Sequence, residues 1–202
     1  MDVAKWPRRL ALFMYEVERK APADLDRVRS VLDRAGATRE ATVEQSDVYF
    51  QHPGRDFAQT DEALRLRNER DVDSSGVKRV VLTYKGPRLE TGSKTRREIE
   101  TGVADPEATT SILTALGFER VCTVEKRRER WSFRGVGVSL DRVTGVGTYV
   151  EVELESVPEE LALAEKRATD TLEALGIDPS ETVQTSYLGF VLERQDEREQ
   201  CV

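Results

Sequence analysis

The sequence predicts an α+β fold, in which eight β-strands form one domain and helices cover one face of the sheet. Short segments of alternating apolar and polar residues recur between turn residues, and a few longer segments repeat apolar residues at helical spacing. No long linker or low-complexity segment divides the 202 residues, so one domain is the economical interpretation. These patterns leave open whether the strands form a two-sheet sandwich or a closed barrel.

Each predicted main helix has a recognisable start and end. A capping aspartate, a proline or both precede the apolar repeat, and a glycine follows it. The helices predicted in this way span residues 25–35, 106–116 and 158–175. A final helix is expected after Asp178-Pro179 and carries Tyr187 and Leu188.

The predicted strands have two different faces, because alternate side chains of a strand point to opposite sides. The strands span approximately residues 15–20, 42–50, 63–67, 78–85, 95–100, 118–131, 135–143 and 148–155. One face is apolar and needs covering, which the three main helices could do. The other is charged in nearly every strand, and its members are Glu16, Glu18, Lys20, Arg65, Arg67, Lys85, Arg96, Glu98, Glu100, Lys126, Arg128, Asp141, Glu151 and Glu153.

This charged face is unusual, since exposed strand faces favour uncharged polar residues at least as much as ionic ones. It balances seven acids with seven bases in a chain of net charge −7. Paired carboxylates hold Mg²⁺ or Mn²⁺ well, and guanidinium and ammonium groups hold phosphate oxygens. A mixed lining therefore suits a site that takes divalent cations and a polyanion together. The alternative is a solvent-exposed sheet surface rich in salt bridges.

Composition argues against several other classes of protein. A net charge of −7 gives no indication of a nucleic-acid or membrane partner. No apolar run approaches the roughly 20 residues of a membrane span, and the short apolar stretch before Tyr15 lacks the features of a secretory signal, so we expect a cytoplasmic protein. One histidine and two cysteines argue against a Ser-His-Asp triad, a cysteine zinc site or a disulfide framework.

Six short motifs that carry most of these charges are similar, in content and order, to those of the CYTH superfamily, the triphosphate tunnel metalloenzymes. They are Glu16-Val17-Glu18-Arg19-Lys20, Asp47-Val48-Tyr49-Phe50, Glu62-Ala63-Leu64-Arg65-Leu66-Arg67, Thr83-Tyr84-Lys85-Gly86-Pro87, Arg96-Arg97-Glu98-Ile99-Glu100 and Glu151-Val152-Glu153. The resemblance implies a closed eight-stranded antiparallel barrel around a charged tunnel. The loop 52–62 and the Tyr84-to-Pro87 run most resemble the class IV adenylyl cyclase branch.

The resemblance also implies roles for individual residues. It implies that Mg²⁺ or Mn²⁺ is held by Glu16, Glu18, Glu151 and Glu153, with Asp141 nearby as a ligand or base. The residues implied to grip the triphosphate are Lys20, Arg65, Arg67, Lys85, Lys126, Arg128 and Arg96. Tyr49 with Lys85 would correspond to the pair proposed to activate water in family triphosphatases. Glu98 and Glu100 would line the same tunnel without an assigned role.

The implied activity is that of a class IV adenylyl cyclase, which converts ATP to cyclic AMP and pyrophosphate. The alternative is a triphosphatase acting on inorganic triphosphate, thiamine triphosphate or a nucleoside triphosphate. A non-catalytic polyphosphate-binding module is a third possibility, but all four implied metal carboxylates are present. The expected organisation is an extension over residues 1–13 with Met14 as a possible native start, a domain over 14–192 and a polar tail over 193–202, in a monomer or homodimer.

Overall fold

Eight antiparallel strands close into a barrel in the computed structural model, which describes residues 15–74, 76, 78–89 and 94–199. The strands are β1 (Tyr15–Pro22), β2 (Thr38–Gln51), β3 (Ala63–Asp71), β4 (Lys78–Arg88), β5 (Lys94–Gly102), β6 (Glu119–Phe133), β7 (Val136–Val143) and β8 (Gly147–Ser156). Around the barrel their order is β1-β5-β4-β3-β2-β6-β7-β8, and β8 pairs back with β1. The closed barrel, rather than the sandwich, is therefore confirmed. The predicted extension over residues 1–13 lies outside the described residues.

Five helices accompany the strands in the described part of the chain. They are α1 (Leu25–Arg34), α2 (Phe57–Thr60), α3 (Pro106–Ala115), α4 (Leu161–Ala174) and α5 (Tyr187–Glu199), and two 3₁₀ turns span Pro158–Glu160 and Pro179–Glu181. Asp24 caps α1 as predicted, because its carboxylate accepts hydrogen bonds from the amides of Asp26 and Arg27. None of the described helices combines the length and the apolar character needed to cross a membrane.

The last helix begins later than the sequence pattern predicts. Asp178 does cap a turn, since its side chain accepts a hydrogen bond from the Ser180 amide, but that turn is the short 3₁₀ segment. The chain then runs without regular structure to Tyr187, where α5 begins, and α5 continues to Glu199 through most of the expected tail. The capping signal at Asp178 therefore belongs to the short 3₁₀ turn and not to the last helix.

The apolar face of the strands points outward and is covered by helices. α1 and α4 pack over Val17, Val150 and Val152, and the side chains of Leu32 and Leu172 in that layer are fully buried. α2 and α3 cover Leu64, Leu66 and Phe50 from another side, through Phe57 and Leu113. Ile99 is an exception at 46% exposure, because it projects from the outer face of β5, outside these clusters. Burial of the apolar face outside the barrel leaves the charged face inside.

α5 lies across one end of the barrel. Its Tyr187 and Phe190 pack with Val124, Val143 and Tyr149, close to the turn that joins β7 and β8. The charged side chains become more exposed with distance from α5. Lys20, near α5, is 1% exposed. The side chains of Glu100 and Glu153 are 42% and 41% exposed. We call the α5 side the closed end and the other side the opposite end.

Candidate active site

Strand register brings the predicted charged set together on the inner face of the barrel. Directly paired residues of antiparallel strands point to the same side. Glu18 is paired with Glu153, Lys20 with Glu151, Arg128 with Asp141, Lys85 with Glu98 and Glu16 with Arg96. The residues that the sequence pattern groups as a charged face therefore form one continuous interior surface.

The four glutamates of β1 and β8 form what we call the acidic cluster: Glu16, Glu18, Glu151 and Glu153. Burial raises the pKa of the Glu16 carboxyl to about 7; Lys85 opposes the shift, and Glu98 and Glu18 add to it. Burial likewise raises the pKa of Glu153, against Arg128, with further contributions from Glu16, Glu151 and Glu18. Like charges that face one another across strands are unfavourable unless a cation lies between them.

A divalent metal fits the chemistry of this cluster, because Mg²⁺ and Mn²⁺ prefer carboxylate oxygens. Cationic side chains supply the compensation in this structure. The Lys85 ammonium lies 2.9 Å from Glu16 and 2.8 Å from Glu98, while Arg128 contacts Glu151 and lies 3.9 Å from Glu153. Within the described ranges, no three acidic, histidine or cysteine side chains already converge as a metal site. Metal binding would therefore require the carboxylates to move together and to exchange these cationic partners.

Asp47 organises the cations of the neighbouring strands. Its two oxygens accept hydrogen bonds from Nε and Nη2 of Arg67 at 2.6 and 2.7 Å. Lys126 and Arg65 lie 3.7 and 3.8 Å from the same carboxylate. Burial alone would raise the pKa of Asp47, but Arg67, Lys126 and Arg65 together hold it well below its usual range. Asp47 enters the sequence-based prediction only as part of a family motif and is left out of its charged set, so this residue was missed, although Asp47 shares a strand face with Tyr49.

Asp141 is the second buried anchor. Arg128 donates to Oδ1 at 2.7 Å, and the Tyr187 hydroxyl donates to Oδ2 at 2.8 Å. Burial would raise the pKa of Asp141, but Arg128 and Lys126 outweigh it and lower that pKa. A carboxylate with both oxygens engaged and a lowered pKa is better suited to positioning Arg128 than to accepting a proton.

Two lysines lie at the closed end beside aromatic rings. The Lys20 ammonium lies 4.0 Å from the centroid of the Tyr187 ring and 5.4 Å from that of Phe190. The Lys126 ammonium lies 4.9 Å from the Tyr187 centroid. Burial, together with Arg128 and Arg67, lowers the pKa of Lys126 to about 8. The closed end therefore holds cations that are poorly solvated.

The remaining predicted residues divide between the tunnel wall and its rim. Arg65 donates to the Thr83 hydroxyl at 3.2 Å, and that hydroxyl donates to Glu100 at 2.8 Å. Arg96 instead lies near the loop after β2, with its guanidinium 3.7 Å from the Asp61 carboxylate. Although the backbone of Arg96 is paired with that of Glu16, its guanidinium is therefore directed toward Asp61.

Tyr49 and Lys85 both belong to the inner face. Burial raises the pKa of the Tyr49 phenol, and the nearby cations Arg65, Arg67 and Lys85 act against that shift. The hydrogen bonds found within the described residues do not join Tyr49 to Lys85, whose ammonium faces Glu16 and Glu98. Activation of water by this pair would therefore need a rearrangement when substrate binds.

Comparisons with known proteins are consistent with this architecture. The model of the CYTH domain family matches residues 14–187. A candidate adenylate cyclase of Methanocaldococcus jannaschii is 35% identical over 178 residues, which covers 87% of this chain and 97% of that protein. The solved PH1819 protein of Pyrococcus horikoshii OT3 superposes with a TM-score of 0.81 at 37% identity, covering 89% of this chain and 99% of that one.

A more distant structure has the same fold. A candidate adenylyl cyclase from Hippeastrum, described as having a dominant triphosphatase activity, superposes with a TM-score of 0.58 at 18% identity. The match covers 81% of this chain and 88% of that one, and at this identity the likeness shows the fold alone. The family model and the relatives above 30% identity cover nearly all of the described barrel. The chain belongs to the CYTH domain family.

Proposed function

We propose that this chain is a divalent-metal-dependent enzyme that binds a triphosphate inside the barrel and converts ATP to cyclic AMP and pyrophosphate. The observation that carries the proposal is the buried interior, where guanidinium and ammonium groups lie beside four glutamates. Choosing cyclisation over other triphosphate chemistry is supported by the M. jannaschii relative, which is named as a candidate adenylate cyclase.

Glu16, Glu18, Glu151 and Glu153 are the residues that would hold Mg²⁺ or Mn²⁺. A metal bound there would lower the pKa of an attacking hydroxyl and neutralise phosphate charge. The raised pKa of Glu16 and Glu153 supports this assignment, because carboxyls crowded in a buried site gain most from a bound cation.

The cationic side chains would bind and orient the phosphate chain. Arg65, Arg67 and Lys126 surround the carboxylate of Asp47, and Arg65 also lies 3.8 Å from Glu98 and 3.7 Å from Glu100. Phosphate oxygens would add further acceptors for these donor groups. In the proposed reaction the 3′-oxygen of ribose bonds to the α-phosphorus while the bond from that phosphorus to pyrophosphate breaks. The hydroxyl proton passes to water or to a carboxylate of the acidic cluster. Fixing the attacking and leaving oxygens in line is the main task of the tunnel.

Hydrolysis of a triphosphate is the alternative, and the placement of Tyr49 and Lys85 on the same inner face is the observation that supports it. In that reaction a water oxygen bonds to the terminal phosphorus, and the bond to the bridging oxygen breaks. Inorganic triphosphate, thiamine triphosphate or a nucleoside triphosphate would be the substrate.

The test is to incubate the purified protein with Mg²⁺ or Mn²⁺ and each candidate triphosphate, and to measure cyclic AMP, pyrophosphate and phosphate. Cyclic AMP with an equal amount of pyrophosphate supports the cyclase. Phosphate without cyclic AMP supports the triphosphatase and refutes the cyclase. Binding of triphosphate without either product would leave only a binding module.

A matched pair of variants connects the activity to the acidic cluster. Glu18→Gln should abolish the metal-dependent activity while the protein remains folded, because it removes one carboxylate from the proposed metal site. Glu40→Gln changes an exposed glutamate of β2 and should leave the activity intact. Full activity of Glu18→Gln at saturating Mn²⁺ would refute the metal assignment.

A further inference from the structure

Two valines interrupt the charged lining near the opposite end of the barrel. Val43 in β2 is paired with Asp71, the last residue of β3, and Val81 in β4 is paired with Gly102, the last residue of β5. β5 runs antiparallel to β1, which ends beside α5, so β5 and β3 both end at the opposite end. By strand alternation both valines point into the interior, where they are 2% and 4% exposed. Neither belongs to the three apolar clusters found among the described residues, so helices outside the barrel do not explain their burial.

Gln45 lies on the same face of β2 as Val43 and is 1% exposed. Its amide nitrogen donates to one oxygen of Glu69 at 2.6 Å, and Arg130 donates to the other oxygen at 3.0 Å. An ionised carboxylate only accepts hydrogen bonds, so the amide nitrogen of Gln45 must face Glu69. The Gln45 carbonyl oxygen is buried and meets no hydrogen-bond donor within the described part of the chain. A buried acceptor without a donor lowers stability, and a ligand that brings a donor would remove this cost.

The missing partner of Gln45 is a donor, which excludes an ionised phosphate group. A nucleotide carries donors in the amino group of its base and in the hydroxyls of its ribose. The two valines favour the base, because ligand sites combine apolar walls for flat rings with a few polar groups that fix orientation. A glutamine amide is also a common partner for the amino group of adenine.

The order of these groups along β2 matches a nucleotide that lies along the barrel. Asp47 and the cations around it are two residues closer to the closed end than Gln45, which is about 7 Å along a strand. Val43 is two residues closer to the opposite end. A nucleotide with its phosphates beside the Asp47 cations can therefore extend its base past Gln45 toward the valines.

We propose, on the basis of the function above, that Val43, Val81 and Gln45 form a nucleobase subsite in which the Gln45 carbonyl accepts a hydrogen bond from the 6-amino group of adenine. Gln45 is then a specificity-determining residue, because a ring without this amino group leaves the carbonyl unpaired. Inorganic triphosphate does not use the subsite, since it has no base. The Gln45 oxygen is not open to solvent in this structure, so neighbouring side chains must move when a base enters.

The first experiment removes the donor from the ligand and the acceptor from the protein. Purine riboside triphosphate is ATP without its 6-amino group, and Gln45→Met keeps a side chain of similar length without the carbonyl oxygen. Both nucleotides carry a methylene group between the α- and β-phosphorus atoms, so that they are not cyclised during calorimetry with Mg²⁺. Loss of the amino group should weaken binding to the original protein about tenfold, and binding to Gln45→Met less than about twofold. Inorganic triphosphate should bind both proteins with the same affinity.

The outcomes separate this inference from the proposed function. Equal binding of the two nucleotides to the original protein overturns the inference without the use of any variant. A tenfold loss in both proteins overturns it too, because another group would then contact the amino group. The 2′-deoxy form of the ATP analogue tests the ribose: a loss in the original protein that disappears in Gln45→Met would assign Gln45 to the ribose and refute the base contact. Failure of the ATP analogue and inorganic triphosphate to bind the original protein would overturn the proposed function instead.

The second experiment tests the apolar wall. Val43→Ala should weaken binding of the ATP analogue about three- to tenfold and leave inorganic triphosphate binding unchanged, because it removes apolar contact with the base alone. Val48→Ala is the control, since Val48 lies in the same strand but packs outside the barrel with the cluster under α2 and α3. Equal losses in the two valine variants, or an equal loss for both ligands in Val43→Ala, would overturn the subsite. Thermal melting verifies that each variant is folded.

Discussion

Replacing Glu16 by glutamine should stabilise the metal-free protein while removing its response to metal. Burial raises the pKa of Glu16 from 4.5 to about 7, a value that already includes the attraction of Lys85. At about 1.4 kcal/mol per pH unit, the ionised carboxylate lowers the free energy of unfolding by at most about 3.5 kcal/mol. The side chain is 25% exposed, so water screens part of this effect. We expect Glu16→Gln to gain about 1–2 kcal/mol at pH 8, or roughly 3–6 °C in Tm.

The stabilisation by Glu16→Gln should depend on pH. The folded protein holds the Glu16 proton more tightly than the unfolded chain, so the destabilisation is complete above pH 7 and disappears as pH falls below 4.5. At pH 5 the gain in Glu16→Gln should shrink to about a quarter of its value at pH 8. Glu40→Gln, on an exposed part of β2, should show no such trend.

Thermal melting in EDTA at pH 8 and pH 5, and again with Mg²⁺ or Mn²⁺, is the assay. Metal should raise the Tm of the original protein and should raise that of Glu16→Gln much less, because a ligand stabilises the folded state in proportion to its affinity. A lower Tm for Glu16→Gln at pH 8, or an equal gain at both pH values, would refute the argument that the ionised Glu16 carboxylate destabilises the metal-free protein.

Three further predictions concern phosphate binding and the start of the chain. Arg67→Ala should raise KM for the triphosphate tenfold or more, since a charge-assisted contact is worth about 1.5–3 kcal/mol, whereas Arg97→Ala on the exposed outer face should not. Small and equal effects of the two variants in steady-state kinetics would contradict the assignment of alternate residues to the inner and outer faces. Because the pKa of Lys126 is lowered to about 8, calorimetry should show triphosphate affinity falling as pH rises above 8, and a flat profile up to pH 9.5 would exclude a contribution from this lysine. A chain that begins at Met14 and lacks residues 1–13 should keep its activity and its Tm; a Tm several degrees lower, about 1 kcal/mol in a chain of this size, would show that the extension packs on the barrel.

The interior could be predicted from the sequence because strands obey a strict two-residue period. Leu64 and Leu66 alternate with Arg65 and Arg67, so the two faces separate before any tertiary contact is known. Which face points inward does not follow from the alternation. Residue-level reasoning left a sandwich and a barrel open, and only the family resemblance favoured closure. The leucines are buried on the outside of the barrel because helices pack on them there.

The pairing inside the tunnel was beyond sequence reasoning, because it depends on which side chains from distant strands meet. Asp47 is the clearest case: its partners Arg67 and Lys126 come from β3 and β6, and neither is near it in sequence. Tyr187 carries no local signal at all. Its place opposite Lys20 depends on the path of the chain after α4, which turns back to the end of β1 before α5 begins.

Barrel closure has a consequence for how the chain is made. β1 hydrogen-bonds with β5 and β8, and its first residue, Tyr15, is paired with Ser156. During synthesis β1 therefore leaves the ribosome before the strands with which it pairs. Pairing between segments far apart in sequence is slow, and unpaired apolar strands tend to aggregate meanwhile. Glu16, Glu18 and Lys20 interrupt the apolar residues of this strand with charges, which act as gatekeepers against aggregation. The carboxylates assigned to the tunnel would thus also keep the nascent strand soluble during translation.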